Sequence, residues 1–261
     1  LPQWFNFIED IDYKNIYGFN ALFIAAKDNN HQVVRTLIEN DVDVNIDCDG
    51  ITPLWVAADN NYIKVVEELL KDKDINIKKD YNYTTPLWRA AKNNYKESVG
   101  LLCNHENIDV NTIDFHNVSA LLAASLRNFS DIVQILLSNE KIDPNQTSSN
   151  GVFPLWVACK YGHIDVIKML LANEKIEVNK DYNGVTSLLI AIKNDKKEII
   201  NLLLEHKDID INKADKKNIS PLYLACKKGN EELVDELLKR EVDINQADNC
   251  LLYTSDAADE S

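Results

Sequence analysis

No stretch of this chain approaches the roughly 18 consecutive apolar residues of a membrane-spanning helix, although 45% of its 261 residues are apolar and can supply a buried core. Basic residues are in the minority, 28 Lys and Arg against 42 Asp and Glu, for a net charge of −14. That argues against nucleic acid as a partner, because phosphate binding needs a basic face. Five cysteines are present, with no C-x-x-C and no ligand-like spacing to histidine. Neither a metal site nor a disulfide framework is expected, and the thiols read as reduced, in a cytoplasmic type of compartment. The opening "LPQWFNFIED" has no initiator Met, no basic n-region and no cleavable apolar stretch. It reads as the interior of a longer chain rather than as a signal peptide.

What is present is a beat. "TPLWVAA" at Thr52 returns as "TPLWRAA" at Thr85, "SALLAAS" at Ser119, "FPLWVAC" at Phe153, "TSLLIAI" at Thr186 and "SPLYLAC" at Ser220, after an earlier "NALFIAA" at Asn20. The shared leucines Leu22, Leu54, Leu87, Leu121, Leu155, Leu188 and Leu222 are 32 to 34 residues apart. A second marker keeps the same register: "VDVN" ending at Asn45, "INIK" at Lys78, "IDVN" at Asn111, "IDPN" at Asn145, "IEVN" at Asn179, "IDIN" at Asn212 and "VDIN" at Asn245. Trp55, Trp88 and Trp156 hold one slot in three of these seven copies. A recurring slot marks scaffold, so these tryptophans read as core rather than as the wall of a ligand pocket.

Each copy has a local physical logic. The opening Thr or Ser can cap a helix, and Pro53, Pro86, Pro154 and Pro221 fall in the first turn, where a missing N–H costs nothing. The helix is about two turns long and ends at Asn29, Asn61, Asn94, Asn128, Gly162, Asp195 or Gly229. These residue types tolerate the left-handed backbone of a helix stop. A second helix follows, as in "IKVVEELLK", where Val65, Val66, Leu69 and Leu70 point apolar groups in two directions. Such a helix is sandwiched between neighbours. One unit cannot bury both faces alone, whereas a stack can, with each buried Leu or Val contributing roughly 1.5–3 kcal/mol.

The pattern resembles the ankyrin repeat family, with its T-P-L-H-x-A-A and later D-V-N, over about Ile16 to Asp248. The resemblance implies an all-α repeat solenoid of helix–turn–helix units joined by finger loops. It also implies a non-catalytic scaffold that binds a protein or peptide in a concave groove of fingers and first helices. The family histidine is absent throughout; Phe23, Trp55, Trp88, Leu122, Trp156, Leu189 and Tyr223 replace it. Apolar packing is therefore expected where the family has a polar link between repeats. The turn glycine survives at Gly18, Gly50, Gly151 and Gly184, but Tyr83 occupies one such position and is an awkward residue for positive φ.

No enzyme, metal or cofactor chemistry is expected. His163 stands where the family has Gly-His and reads as structural, and His31, His105, His116 and His206 share no acid or nucleophile. Cys103, Cys159 and Cys226 are expected to be buried and Cys48 exposed at a finger. The candidate protein-binding residues lie elsewhere. The slot after Ala-Ala holds Lys27, Asp59, Lys92, Leu126, Lys160, Lys193 and Lys227, with Arg127 and Lys228 one residue further on. This is a basic ladder in an acidic protein; each lysine taken singly reads first as a cation complementing a helix dipole, while the alignment of five favours a joint role. Tyr81, Asn82, Phe115, His116, Tyr182 and Asn183 lie at finger tips, where aromatic residues either anchor a partner or pack against the next finger. Tyr161 extends the patch on the helix face. Together they describe a groove for an acidic, partly apolar protein or peptide, with neither nucleic acid nor membrane as partner.

After Asn249 the rhythm stops, and "CLLYTSDAADES" reads like the translation of a transposase-type sequencing adaptor. Residues 1–15 are accordingly assigned to the remnant of a preceding repeat or cap, 16–249 to about seven repeats and 250–261 to a non-native tail. Leu233, Leu237 and Leu238 of the last second helix are expected to be left bare. A fragment of this kind also fits the substrate-recruiting arm of a larger enzyme, such as a kinase or ubiquitin-ligase component, or a secreted host-directed effector.

Overall fold

The computed structural model describes residues 11–240 and 242–243; the readings of the first ten residues and of the tail from Cys250 lie outside the described residues. Fourteen short helices alternate between two kinds. The first helices are α1 (Ala21–Lys27), α3 (Pro53–Asp59), α5 (Pro86–Lys92), α7 (Ala120–Leu126), α9 (Pro154–Tyr161), α11 (Ser187–Lys193) and α13 (Pro221–Lys227). The second are α2 (His31–Ile38), α4 (Ile63–Leu69), α6 (Lys96–Cys103), α8 (Ser130–Leu137), α10 (Ile164–Leu171), α12 (Lys197–Leu204) and α14 (Glu231–Lys239). One finger forms a two-residue hairpin, β1 (Asp181–Tyr182) with β2 (Val185–Thr186). Repeats one to seven are numbered from α1–α2 to α13–α14.

The helix boundaries follow from the residues at them. Asn20, Thr52, Thr85, Ser119, Thr186 and Ser220 each accept a hydrogen bond from the backbone N–H three residues on, satisfying one orphan donor of the first turn. Phe153 opens α9 without a side-chain cap, and Pro154 alone fits the start. Each predicted stop residue has positive φ, from Asp195 at 52° to Gly162 at 88°. The chain reverses there without a long loop.

The chain divides into two compact units, the first running to Ala124 and including Asp131–Ile142, the second made of Ser125–Ser130 and the chain from Asp143 on. In the first unit α1, α3 and α5 pack in series, and α2, α4 and α6 form a second layer behind them. The second unit repeats the plan with α9, α11 and α13 in front of α10 and α12. The apolar residues between the layers, such as Leu54, Leu87, Val66 and Leu69 in the first unit and Leu155, Ile167 and Leu203 in the second, are fully buried.

The second sequence marker is a ladder of asparagines. Asn45 donates through Nδ2 to the Asp74 carbonyl (2.7 Å) and accepts through Oδ1 from the Asn76 N–H (2.6 Å). Asn145 does the same with Lys175 and Glu177, and Asn179 with Asp208 and Asp210. One amide thus satisfies a donor and an acceptor of the following loop and fixes the register of successive repeats.

Three expectations are corrected. The polar link between repeats is not simply exchanged for apolar packing. Trp55 Nε1 donates to the Thr84 carbonyl (2.8 Å) and Trp88 Nε1 to the Val118 carbonyl (2.7 Å), so indole takes over the bridging. Of the three slot tryptophans, Trp156 leaves its buried Nε1 without a hydrogen bond. Cys48 is buried, because its Sγ turns inward to the Tyr17 carbonyl (3.4 Å), whereas Cys226 is exposed. Leu233 and Leu237 are buried, as α14 folds back on α13, and only Leu238 is left half-exposed.

Candidate functional site

The first helices and fingers bring the lysine slot and the aromatic slot together. The two positions are four residues apart on a two-turn helix, so their side chains share a face. Lys92 Nζ lies 4.7 Å from the Trp88 ring centroid, Lys160 Nζ 5.1 Å from Trp156 and 5.4 Å from Tyr161, and Lys227 Nζ 5.9 Å from Tyr223. Lys27 Nζ stands 5.1 Å over Phe19, whose ring is stacked on the slot residue Phe23. Each ammonium sits within reach of a ring quadrupole. Among the described residues none of these four lysines forms an ion pair with a carboxylate.

The remaining slots differ. In repeat two Asp59 occupies the lysine position, and Arg89 of the next helix covers Trp55 (5.1 Å) while pairing with Asp59. That arginine was not singled out from the sequence, because its partner lies 30 residues away. Leu126 occupies the slot in repeat four. In repeat six the residue four back is Leu189, and Lys193 turns to Asp215 (3.2 Å). Lys228 is drawn to Asp195 (2.7 Å), and Arg127 is exposed.

The fingers sort into packed and free tips. Tyr81 and Tyr182 are half-buried, set edge-on against Trp55 (5.3 Å) and Trp156 (4.7 Å). They belong to the scaffold more than to an open tip. Asn82 and Asn183 are exposed, with φ of 50° and 53°, as the first central residues of tight turns. Phe115 is 63% exposed, with the His116 ring 3.8 Å from its own, and Tyr161 is 52% exposed. Tyr83, flagged in the sequence only as an awkward turn residue, is 68% exposed at φ 60°. Holding a tyrosine there costs about 1–2 kcal/mol in backbone strain. The residue is nonetheless mostly exposed to solvent.

The thiols and imidazoles do not converge on chemistry. Burial pushes the Cys103 thiol up to about 12 and raises Cys48 and Cys159 as well, which makes poor nucleophiles of them. His105 and His206 accept through Nδ1 from the N–H two residues on, and His163 Nε2 lies 3.3 Å from the Leu126 carbonyl. Among the described residues no group of His, Cys, Asp and Glu is arranged to hold a metal ion, and no helix is long and apolar enough to cross a membrane.

Family models described as ankyrin repeats match residues 3–81, 73–148 and 121–215, and a second of the same description matches 203–255. The chain belongs to the ankyrin repeat family. Its fold is similar to the crystal structure of EF0377, an ankyrin repeat protein, with a TM-score of 0.64 and 26% identity over 73% of this chain and 97% of that one. No curated protein matches the chain. Ankyrin repeats are generally protein–protein interaction modules, and the family is typically non-catalytic.

Proposed function

We propose that the protein is a non-catalytic scaffold that binds an acidic, partly apolar protein segment on the first-helix and finger face of its units. The observation that carries this reading is the set of ring-backed lysines. In a chain of net charge −14, Lys27, Lys92, Lys160 and Lys227 hold their ammonium groups on aromatic faces and away from carboxylates. A cation that only complements a helix dipole typically gains ~0.3–1 kcal/mol and needs no ring beneath it. Lys92 and Phe115 in the first unit, and Lys160 and Tyr161 in the second, join charge to exposed apolar surface, the composition of an interface anchor.

A displayed random-peptide library panned on the purified protein tests this. Enriched peptides should be rich in Asp and Glu beside Leu, Ile or Phe, and enrichment should collapse on the K92E/K160E protein while its far-UV circular dichroism is unchanged. Enrichment of basic peptides, or enrichment that survives the reversals, would sink the reading.

A further inference from the structure

Lys180 also lies over a ring, that of Phe153, but pairs with Glu177; the ring-backed lysines without an ion pair are not distributed evenly. They fall in repeats one and three of the first unit, Lys27 and Lys92, and in repeats five and seven of the second, Lys160 and Lys227. The repeat between each pair is silenced by a different device. Between Lys27 and Lys92, Asp59 neutralises Arg89. Between Lys160 and Lys227, Lys193 is neutralised by Asp215. Both units thus present two ammonium groups with one electrostatically closed repeat in the middle.

This spacing sets a length. First helices of adjacent repeats pack side by side, and packed helices lie about 8–10 Å apart. Lysines two repeats apart are therefore separated by about 16–20 Å. An extended chain advances about 3.3 Å per residue, so it covers that span in about five or six residues. A helix rising 1.5 Å per residue would need about eleven to thirteen. Between Lys27 and Trp55 lies an open cavity of about 750 Å3, lined by Phe19, Phe23, Trp55 and Tyr81 together with Lys27 and Asp49. An extended chain turns alternate side chains towards the surface, so it can set one apolar side chain in this cavity between two carboxylates.

We infer that each unit selects an extended acidic segment whose carboxylates are about six residues apart, with an apolar side chain between them entering the aromatic cavity in the first unit. The inference rests on the scaffold reading above and adds a spacing rule to it. The silenced middle repeat makes the rule selective. A carboxylate placed centrally meets Asp59 in the first unit and Asp215 in the second, beside a cation already neutralised.

The test uses the purified full chain and fluorescein-labelled peptides of one composition, two Glu and one Leu in a Ser/Ala background, with the Glu residues three, six, nine or twelve apart. Fluorescence anisotropy at low salt should show the six-residue spacing bound tightest, by about fivefold over the three-residue one. The K27E/K92E and K160E/K227E proteins separate the two units. Each should retain the preference through its intact pair, and the quadruple variant should lose it. K92R and K160R should restore binding, since Arg also stacks on aromatic faces. Equal affinity at every spacing, with binding still lost on charge reversal, overturns the spacing rule alone. Tightest binding at twelve overturns the extended conformation. Absence of binding at any spacing by the folded wild-type protein removes the acidic-partner reading and the rule together.

Discussion

Lys92 in the first unit and Lys193 in the second stand at the same position of their repeats, and their charges end in opposite situations. Lys92 has Trp88 four residues behind it and rests on the indole, with no carboxylate paired to it among the described residues. Lys193 has Leu189 behind it, finds no ring, and reaches Asp215 in the following loop. The residue four back separates a cation resting on a ring from one paired within the fold. The second helices differ in a parallel way. In the first unit Glu68 is buried between Arg35 (2.5 Å) and Lys71 (2.9 Å), whereas in the second Lys197 and Glu232 meet at 2.6 Å on an open surface. A contact of similar length therefore has a different weight in each unit, because solvent reaches both ends of one and only the cationic ends of the other.

The hardest way to break the comparison is to give repeat three the chemistry of repeat six. Trp88→Leu removes the buried ring and the Nε1 bond to the Val118 carbonyl, leaving a cavity and an unmatched acceptor. The expected loss is about 2–3 kcal/mol, read by urea unfolding. Acidic-peptide affinity should fall with it as Lys92 loses its support. A loss below about 1 kcal/mol would show that the ring is not the bridge between repeats.

Glu68 and Glu232 sharpen the second contrast. The hydrogen bond from Arg35, reinforced by Lys71 and opposed by burial, holds the Glu68 carboxyl down at about 2. A depressed carboxylate stabilises the fold above its ordinary value of 4.5, and the contribution drains away as pH falls towards 2. Glu68→Gln should cost about 1 kcal/mol at neutral pH, discounted for screening, and should flatten the acid limb within that window. Glu232→Gln should change stability by no more than a few tenths of a kcal/mol. Parallel acid titrations of the two variants would contradict the distinction drawn between buried and open pairs.

Much of this was legible in the sequence, for reasons that are local. A Thr-Pro opening, a small-residue helix and an Asn or Gly stop are written within about ten consecutive residues, so α3 from Thr52 to Asn61 can be drawn without coordinates. The lysine slot was legible as a row. Which lysines remain unpaired was not, because it depends on Asp215 lying 22 residues from Lys193 and on Asp59 lying 30 from Arg89. Trp88 and Val118, likewise 30 residues apart, concealed the indole bridge. Tyr83 shows the opposite case: the sequence marked a conformational oddity, and only the backbone revealed an exposed tip.

A gentler change tests whether pairing alone separates the two lysines. Asp215 sits below its ordinary range. Burial would raise it, but the Ile219 and Lys217 N–H groups and Lys193 together outweigh that. Asp215→Asn keeps a carbonyl oxygen for those N–H donors and removes the charge. Stability should fall by about 0.5–1 kcal/mol, with the difference from wild type vanishing as pH drops through the folded value. The freed Lys193 should raise acidic-peptide affinity about twofold. Unchanged affinity with the expected stability loss would mean that Lys193 is kept from the partner by position and not by its ion pair.

The smallest effect is expected where the first unit departs from its own ladder. The second unit carries Asn145 and Asn179 in the marker slot, and each bridges to the next loop with both amide atoms. The first unit has Asn45 and Asn111, but Lys78 stands between them, with an exposed side chain. By the register of the other rungs, an amide at 78 would donate to the Asn107 carbonyl and accept from the Asp109 N–H. Lysine has no acceptor and is too long to close the second bond. Lys78→Asn should therefore add about 0.5–1 kcal/mol. Hydrogen exchange should slow at Asp109 and leave the second unit unchanged. If Asp109 exchanges at the wild-type rate while global stability rises, the gain comes from removing a lysine and not from completing the ladder.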